Sequence, residues 1–237
     1  MNRLIALAAL LACIAAPGGI GAADTVLPRR VDIEFAVFMG SMRIGEGRDH
    51  FEHDGRSYRI WSESSTTGLA SVYRLLIRRE AQGRITPAGL RPESYSELRN
   101  GKLKRSVRFD WERMQATLFN GEATKVVPLP DNTWDTTSFG YNFSYFRPQA
   151  RQFMVNLTDG RRINDYEYAV LGRERLETDI GTLDTLHVKR VRDADDKRSF
   201  EVWLAVDRYY APVRIRYTDK NGTAFDSMVT RLTFSPN

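Results

Sequence analysis

Tight-turn pairs at Asp54-Gly55, Asn120-Gly121, Asp159-Gly160 and Asn221-Gly222 divide this chain into short segments in which apolar and polar residues alternate. Such pairs tolerate the positive φ that joins two twisted antiparallel strands, so between alternating segments they mark hairpins. Val31, Ile33, Phe35 and Val37 fall on one face of an extended segment, with Asp32, Glu34 and Ala36 on the other. Ile44 to Phe51 reads as the returning strand, and Tyr58 and Ile60 begin the next. Val107, Phe109 and Trp111 alternate with Arg108 and Asp110, and Gln115 to Phe119 with Ala123 to Val127 forms another hairpin. The C-terminal third continues with Phe153 to Leu157, Ile163 to Leu171, Leu183 to Arg190, Ser199 to Val206, Val213 to Tyr217 and Phe225 to Phe234, with Arg192 to Arg198 as a charged hairpin tip.

Two stretches interrupt the pattern. Gly68 to Arg79 fits a helical face or a buried strand, since a short apolar run cannot be decided by period alone. Gly83, Pro87, Gly89 and Pro92 predict a loop. From Asp135 to Arg147, Phe139, Phe143 and Phe146 recur at helical spacing behind an Asp135 cap, and Pro148 closes the segment.

About ten strands without regular crossover helices exclude a Rossmann sheet. The expected fold is mainly β with minor α: a curled antiparallel sheet forming an open or incomplete barrel, with one or two helices packed in its concavity. Residues 24–237 form a single domain, because no long polar linker and no repeat divides them.

Residues 1–23 read as a signal peptide. Arg3 precedes the apolar run Leu4 to Ala16, which is followed by Pro17, Gly18 and Gly19 and by small residues up to Ala23. The run falls short of the roughly 20 residues a permanent transmembrane helix needs. Leu10, Leu11, Ala12 and Cys13 support an alternative, lipidation of Cys13 and a membrane anchor facing the periplasm. Either way the expected location is the periplasm. Cys13 is the only cysteine, so no internal disulfide can form, and neither a thiol nucleophile nor a cysteine-built metal site is available.

The chain carries 35 Lys and Arg against 30 Asp and Glu, a formal charge of +5, with the signs interspersed. Nucleic-acid binding needs a dense basic stripe that is missing here. Peripheral contact with a membrane stays open: Lys102, Lys104, Arg105 and Arg108 could meet anionic head groups or a charged partner, or equally be a solvated strand edge kept from pairing with another chain. No catalytic constellation emerges. His50 and His53, three apart, point to opposite faces of a strand. His187 has no sequence-near carboxylate and hydroxyl pair that would name it a catalytic base, and no Gly-x-Ser-x-Gly elbow or Gly-rich phosphate loop occurs. No cofactor, metal or catalytic residue is expected.

The aromatic supply points elsewhere. Phe139, Phe143 and Phe146, with Trp61, Phe109, Trp111 and Trp203 as wall, would line a cavity able to take an acyl chain or hydrophobic segment. The expected function is therefore non-enzymatic binding of an apolar or lipidic ligand, or of a lipidated envelope partner. The alternatives are a structural or interaction module of an envelope complex, with the same rings as core, and an unrecognised hydrolase around His50 or His187.

Several ordered motifs resemble the exported proteobacterial family known as domain of unknown function 3108. They are Val37-Phe38-Met39-Gly40 with Ile44-Gly45, Gly89-Leu90-Arg91-Pro92-Glu93-Ser94-Tyr95, Val107-Arg108-Phe109-Asp110-Trp111, Gly172-Arg173-Glu174 with Leu176-Glu177-Thr178, and Glu201-Val202-Trp203-Leu204 before Pro212-Val213. The last pair also resembles, more distantly, lipoprotein carriers, which implies an unclosed barrel with a helical lid. Neither resemblance implies catalytic residues.

Overall fold

The computed structural model describes residues 27–148, 150–192 and 196–235. The expected signal peptide, Cys13 and residues 193–195 of the charged tip lie outside the described residues. The N-terminal strands are β1 Arg30–Met39, β2 Met42–His53, β3 Ser57–Thr66, β4 Leu76–Thr86, β5 Gly89–Arg99, β6 Lys102–Asp110, β7 Gln115–Phe119 and β8 Thr124–Pro128. After β9 Thr133–Asp135 and helix α1 Phe139–Asn142 come β10 Gln152–Thr158, β11 Ile163–Thr178, β12 Gly181–Arg190, β13 Ser199–Ala205, β14 Ala211–Thr218 and β15 Ala224–Ser235. A 3-10 helix, Gly68–Tyr73, joins β3 to β4.

All fifteen strands form one sheet in the order β8-β7-β6-β5-β4-β3-β2-β1-β15-β14-β13-β12-β11-β10-β9. First and last strand are neighbours at its centre, where Ile33 pairs with Leu232 and Phe35 with Val229. Two wings run outward from that seam, each a meander of antiparallel hairpins. The exception is β9, which pairs parallel to β10. The sheet is curled but unclosed: β9, at the end of one wing, lies against β5 of the other without a ladder between β8 and β9. This is the mainly β, incompletely closed fold expected from the alternation, with more strands than the sequence suggested.

Three apolar clusters fill it. Val31, Ile33, Phe35, Phe51, Tyr58 and Ile60 of β1 to β3 meet Val213 and Val229 of the other wing. Trp134, Phe139, Phe143, Tyr168, Val202 and Leu204 form the second, and Tyr95, Val107, Phe109 and Leu118 the third. With no internal disulfide, this burial, worth roughly 1.5–3 kcal/mol per large side chain, holds the domain together.

Three local expectations are corrected. The loop expected at Gly83 to Pro92 is mostly strand, with Pro87 and Ala88 forming the turn between β4 and β5. Gly83 sits opposite Pro92 at a register shift, because Pro92 has no N–H to continue a regular ladder. A Cβ on Gly83 would stand 2.1 Å from the Arg91 carbonyl oxygen, so only glycine fits this bulge. Gly68 to Arg79 is neither wholly helix nor wholly strand: the 3-10 helix occupies its first half and buries no side chain.

The helix expected over Asp135 to Arg147 is a single α turn. Asp135 belongs to β9, and its Oδ1 accepts from the Thr137 and Ser138 amides at 2.8 and 2.9 Å, arresting the chain in a turn before the helix starts. Beyond Asn142 the backbone continues in tight turns, with Phe146 N donating to Asn142 O at 2.7 Å. Phe139, Phe143 and Phe146 therefore keep the common face their spacing suggested.

Candidate functional site

Helix α1 is clamped between the wings. Asn142 Oδ1 accepts from Leu90 N at 2.8 Å at the start of β5. A Cβ on Gly89 would lie 2.3 Å from that same oxygen, so glycine lets the turn close on the helix. On the opposite side Gly140 faces the Pro212 ring of β14. Tyr141 stacks on Phe51 with centroids 5.3 Å apart and donates to Asp49 Oδ2 at 3.1 Å.

The expected ligand-binding aromatics are distributed among different surroundings. Phe139, Phe143 and Phe146 converge on Trp134, with centroid distances of 5.7, 6.2 and 5.5 Å, and Phe139 also packs on Tyr168 at 4.7 Å. Phe109 stacks on Trp111 at 6.1 Å in the third cluster, and Trp111 Nε1 donates to Pro92 O at 2.7 Å. Trp203 is buried among the first cluster, donates to Glu174, and carries His187 stacked at 4.1 Å. Trp61 stands apart, on the far side of β3. Trp134 and Tyr168, which complete the ring cluster, were missed because each lies in a strand rather than at helical spacing. Beside α1, a void lined by Phe51, Tyr141, Tyr145 and Phe234 measures only about 10 Å³.

A polar row crosses the inner face of the N-terminal wing, pairing Asp49 with Ser62, Ser62 with Arg79, Arg79 with Glu97 and Glu97 with Arg105. Glu97 is 1% exposed, with Arg79 Nε at 2.8 Å, Arg99 Nε at 2.9 Å and Arg105 Nη1 at 3.9 Å. Burial opposes its ionisation, but the three guanidinium groups outweigh burial and hold its carboxyl below the ordinary glutamate range. Arg105 also reaches Asp159 at 2.9 Å. It is therefore an inward cation, unlike Lys102 and Lys104, which are exposed.

The opposite face of the same wing is grooved. Asp32, His50, Trp61, Glu80, Ser96, Ser106 and Phe119 pair successively from β1 to β7, beside a second row of Glu34, Arg48, Glu63, Arg78 and Leu98. Side chains of these rows enclose a groove of about 580 Å³ around Trp61. Another, of about 450 Å³, lies over Gln82, Ser94, Ser96, Ser106, Arg108 and Thr117, and Glu80 borders both. Arg59 covers Trp61 at 4.3 Å and binds Glu80 through Nε at 2.6 Å, while Arg78 Nε meets Glu63 at 2.6 Å. Of the expected ligand-binding aromatics, Trp61 lines the larger of these two grooves.

His50 lines that groove with Asp32, the two 2.6 Å apart at Nδ1 and Oδ1, and its Nε2 lies 3.3 Å from Glu52 Oε2. His187 is held likewise, Nε2 at 3.1 Å from Glu201 and Nδ1 at 3.6 Å from Glu174. Each imidazole thus lies among carboxylates, His50 hydrogen-bonded to Asp32 and Glu52 and His187 to Glu201. Among the described residues no group of three or more His, Cys, Asp or Glu side chains is placed to hold a metal ion.

Fold and site together define a curled antiparallel β domain with a packed interior and a grooved polar face. The chain belongs to the family described as protein of unknown function (DUF3108), whose model matches residues 34–230. Comparison with curated proteins gives no match. Among solved structures, a provisionally designated lipoprotein of Parabacteroides distasonis aligns with 87% of this chain and 97% of its own, at 12% identity and a TM-score of 0.37. A provisionally designated exported protein with a YmcC-like fold, from Bacteroides fragilis, covers 86% and 95% at 11% identity and a TM-score of 0.38.

Proposed function

We propose that this protein is a non-enzymatic interaction module of the cell envelope, which holds a protein partner on the polar face of β1 to β7. The observation behind this reading is the contrast between the two faces. Inside, the rings of Phe139 and Phe143 are 1% exposed and interlocked, whereas outside two adjoining grooves present Trp61 amid charges of both signs. An aromatic anchor ringed by Arg and carboxylate side chains is the composition that carries energy at protein interfaces. The envelope location rests on the leader at residues 1–23. The bonding of both His50 and His187 to carboxylates supports the non-catalytic reading.

Site-specific photocrosslinking in intact cells tests it. Probes at Arg78 and Ser106 are expected to give one discrete adduct that disappears with Trp61→Ala, while a probe at Thr182 gives none. Adducts from all three positions, or from none, would overturn the reading.

A second reading, an apolar ligand beneath α1, is favoured by three buried polar atoms in and beside the helix, Thr137 Oγ1, Asn142 Nδ2 and Tyr145 Oη, that have no hydrogen-bond partner among the described residues. These reduce what holds α1 in place. Native mass spectrometry after mild purification separates the two readings: bound lipid whose retention depends on Phe139 and Phe143 supports this one.

A further inference from the structure

Three connections form one rim of the N-terminal wing: the β1–β2 turn, the segment from β3 through the 3-10 helix to β4, and the β5–β6 turn. Hydrogen bonds place them side by side. Thr67 N donates to Ile44 O at 2.9 Å, Thr66 N to Leu75 O at 3.1 Å, and Asn100 N to Leu76 O at 2.8 Å.

This rim concentrates exposed apolar side chains. Leu69 is 87% exposed and Val72 and Tyr73 are each 82% exposed, all on a helix that buries nothing. Met39, Met42 and Leu103 add to them from the flanking turns. Leaving large apolar groups in water forfeits the burial that stabilises the rest of the domain, so a cluster of them at one end marks a contact surface.

Charge says what kind. Residues 39–45, 66–76 and 98–104 contain no Asp or Glu, but they contain Arg43, Arg74, Arg99, Lys102 and Lys104. Arg99 pairs with Glu97. Among the described residues the other four enter no ion pair, so no carboxylate neutralises them. An apolar knob that projects, rather than a groove that receives, ringed by unpaired cations is complementary to a bilayer with anionic headgroups. The tips of Leu69, Val72 and Tyr73 would enter the headgroup–acyl boundary, where aromatic residues settle, and the cations would lie among phosphates.

We propose that this rim is a membrane-docking surface that binds anionic phospholipid bilayers peripherally, through Leu69, Val72 and Tyr73 with Arg43, Arg74, Lys102 and Lys104. It shares no residue with the grooves around Trp61, so it stands or falls separately from the function proposed above. No helix among the described residues is long and apolar enough to cross a membrane, and the proposal needs none.

The test uses the full chain carrying Tyr73→Trp, with the unsubstituted chain subtracted, mixed with vesicles of phosphatidylethanolamine and phosphatidylglycerol or of phosphatidylcholine alone. Emission from position 73 is expected to shift to the blue and to be quenched by brominated acyl chains in the anionic vesicles, with the effect falling as salt rises. Lys102→Glu with Lys104→Glu should weaken the response about tenfold. Leu69→Ser with Val72→Ser should abolish the quenching while thermal melting stays unchanged, since neither side chain is buried. Because the signal is local to the rim, attachment of the leader alone to vesicles would leave position 73 unquenched. That result overturns the proposal, as would equal quenching in neutral vesicles or self-association through the rim without lipid.

Discussion

The Tyr141 hydroxyl donates to Asp49 Oδ2 across 3.1 Å, joining the short helix to the second strand of the sheet from 92 positions away in the chain. Burial pushes the Asp49 carboxyl above its ordinary range, although hydrogen bonds from Ser62 and Tyr141 and the nearby Arg79 act the other way. The same burial holds the tyrosine phenol well above its usual range, so at neutral pH Tyr141 is the donor. Tyr141→Phe keeps the ring on Phe51 and removes only the hydroxyl. It should cost about 1–2 kcal/mol, read as a fall in the urea midpoint at constant m. A double-mutant cycle with Asp49→Asn should give a coupling of about 1 kcal/mol; independent effects would show that the bond contributes nothing.

Phe139 and Phe146 share a helical face but not a degree of burial: Phe139 is 1% exposed, whereas Phe146 is only partly buried at the edge of its cluster. Truncation to alanine leaves a cavity in the first case and a dent open to solvent in the second. Phe139→Ala should destabilise by about 3–5 kcal/mol and Phe146→Ala by roughly half as much or less, as measured by chemical denaturation. Equal losses would mean that the cluster is uniformly enclosed.

Much of this fold was legible because a half-buried strand writes its two faces into alternate residues. Val31 to Val37, Ser199 to Val206 and Phe225 to Phe234 show this, and the glycine turns delimit their neighbours. Pro92 was misleading because proline argues against a central strand, and only the pairing with Gly83 across a bulge, a non-local fact, makes room for it. Trp134 was invisible as core because β9 is three residues long and its parallel partner, β10, comes after the helix. The grooves were harder still. Their rows are assembled from up to seven strands in register, and of their residues the sequence singled out only Trp61, His50 and Arg108, each for a different reason.

Gly83 offers a direct test of that bulge. A Cβ there would meet Arg91 O at 2.1 Å and Pro92 Cα at 2.8 Å, both backbone atoms that cannot swing aside. At Gly47 the nearest atom would be Phe35 Cβ at 3.6 Å, an ordinary contact. Gly83→Ala should therefore destabilise by about 1–3 kcal/mol or more, while Gly47→Ala changes stability little. Comparable thermal melts for the two variants would show that the bulge is not as described.

Asp135 is fully buried, and burial raises its carboxyl above the ordinary aspartate value of 3.8 in spite of the bonds from Ser138 and Thr137. A raised carboxyl takes up its proton in the folded chain while the unfolded chain is still ionised. Folding therefore gains from Asp135 as pH falls from the raised value towards the ordinary one, and loses as pH rises through that window. Asp135→Asn keeps the oxygen that receives the Thr137 and Ser138 amides but removes the titration. The stability of the unsubstituted chain relative to the variant should grow as pH is lowered from neutrality towards 4, followed by denaturation at each pH. A difference independent of pH would mean that the carboxyl titrates normally.

Glu97 has the opposite sign. Burial disfavours its charge, but Arg79, Arg105 and Arg99 overcome burial and hold the carboxyl below the ordinary value of 4.5. Its contribution is present in full above that value and is lost as pH falls through the lower, folded one. Glu97→Gln keeps the shape and leaves three guanidinium groups around a neutral amide. Arg79 and Arg105 are themselves 30% and 16% exposed, so part of their lost pairing returns as hydration. Removing one partner of a buried pair costs about 3–5 kcal/mol, and this hydration places the expected loss at neutral pH near the lower end of that range. The loss should shrink as pH falls below the ordinary glutamate range, because the unsubstituted chain then protonates as well. A variant equally stable at pH 7, or one whose deficit grows on acidification, would show that the arginines do not hold Glu97 ionised.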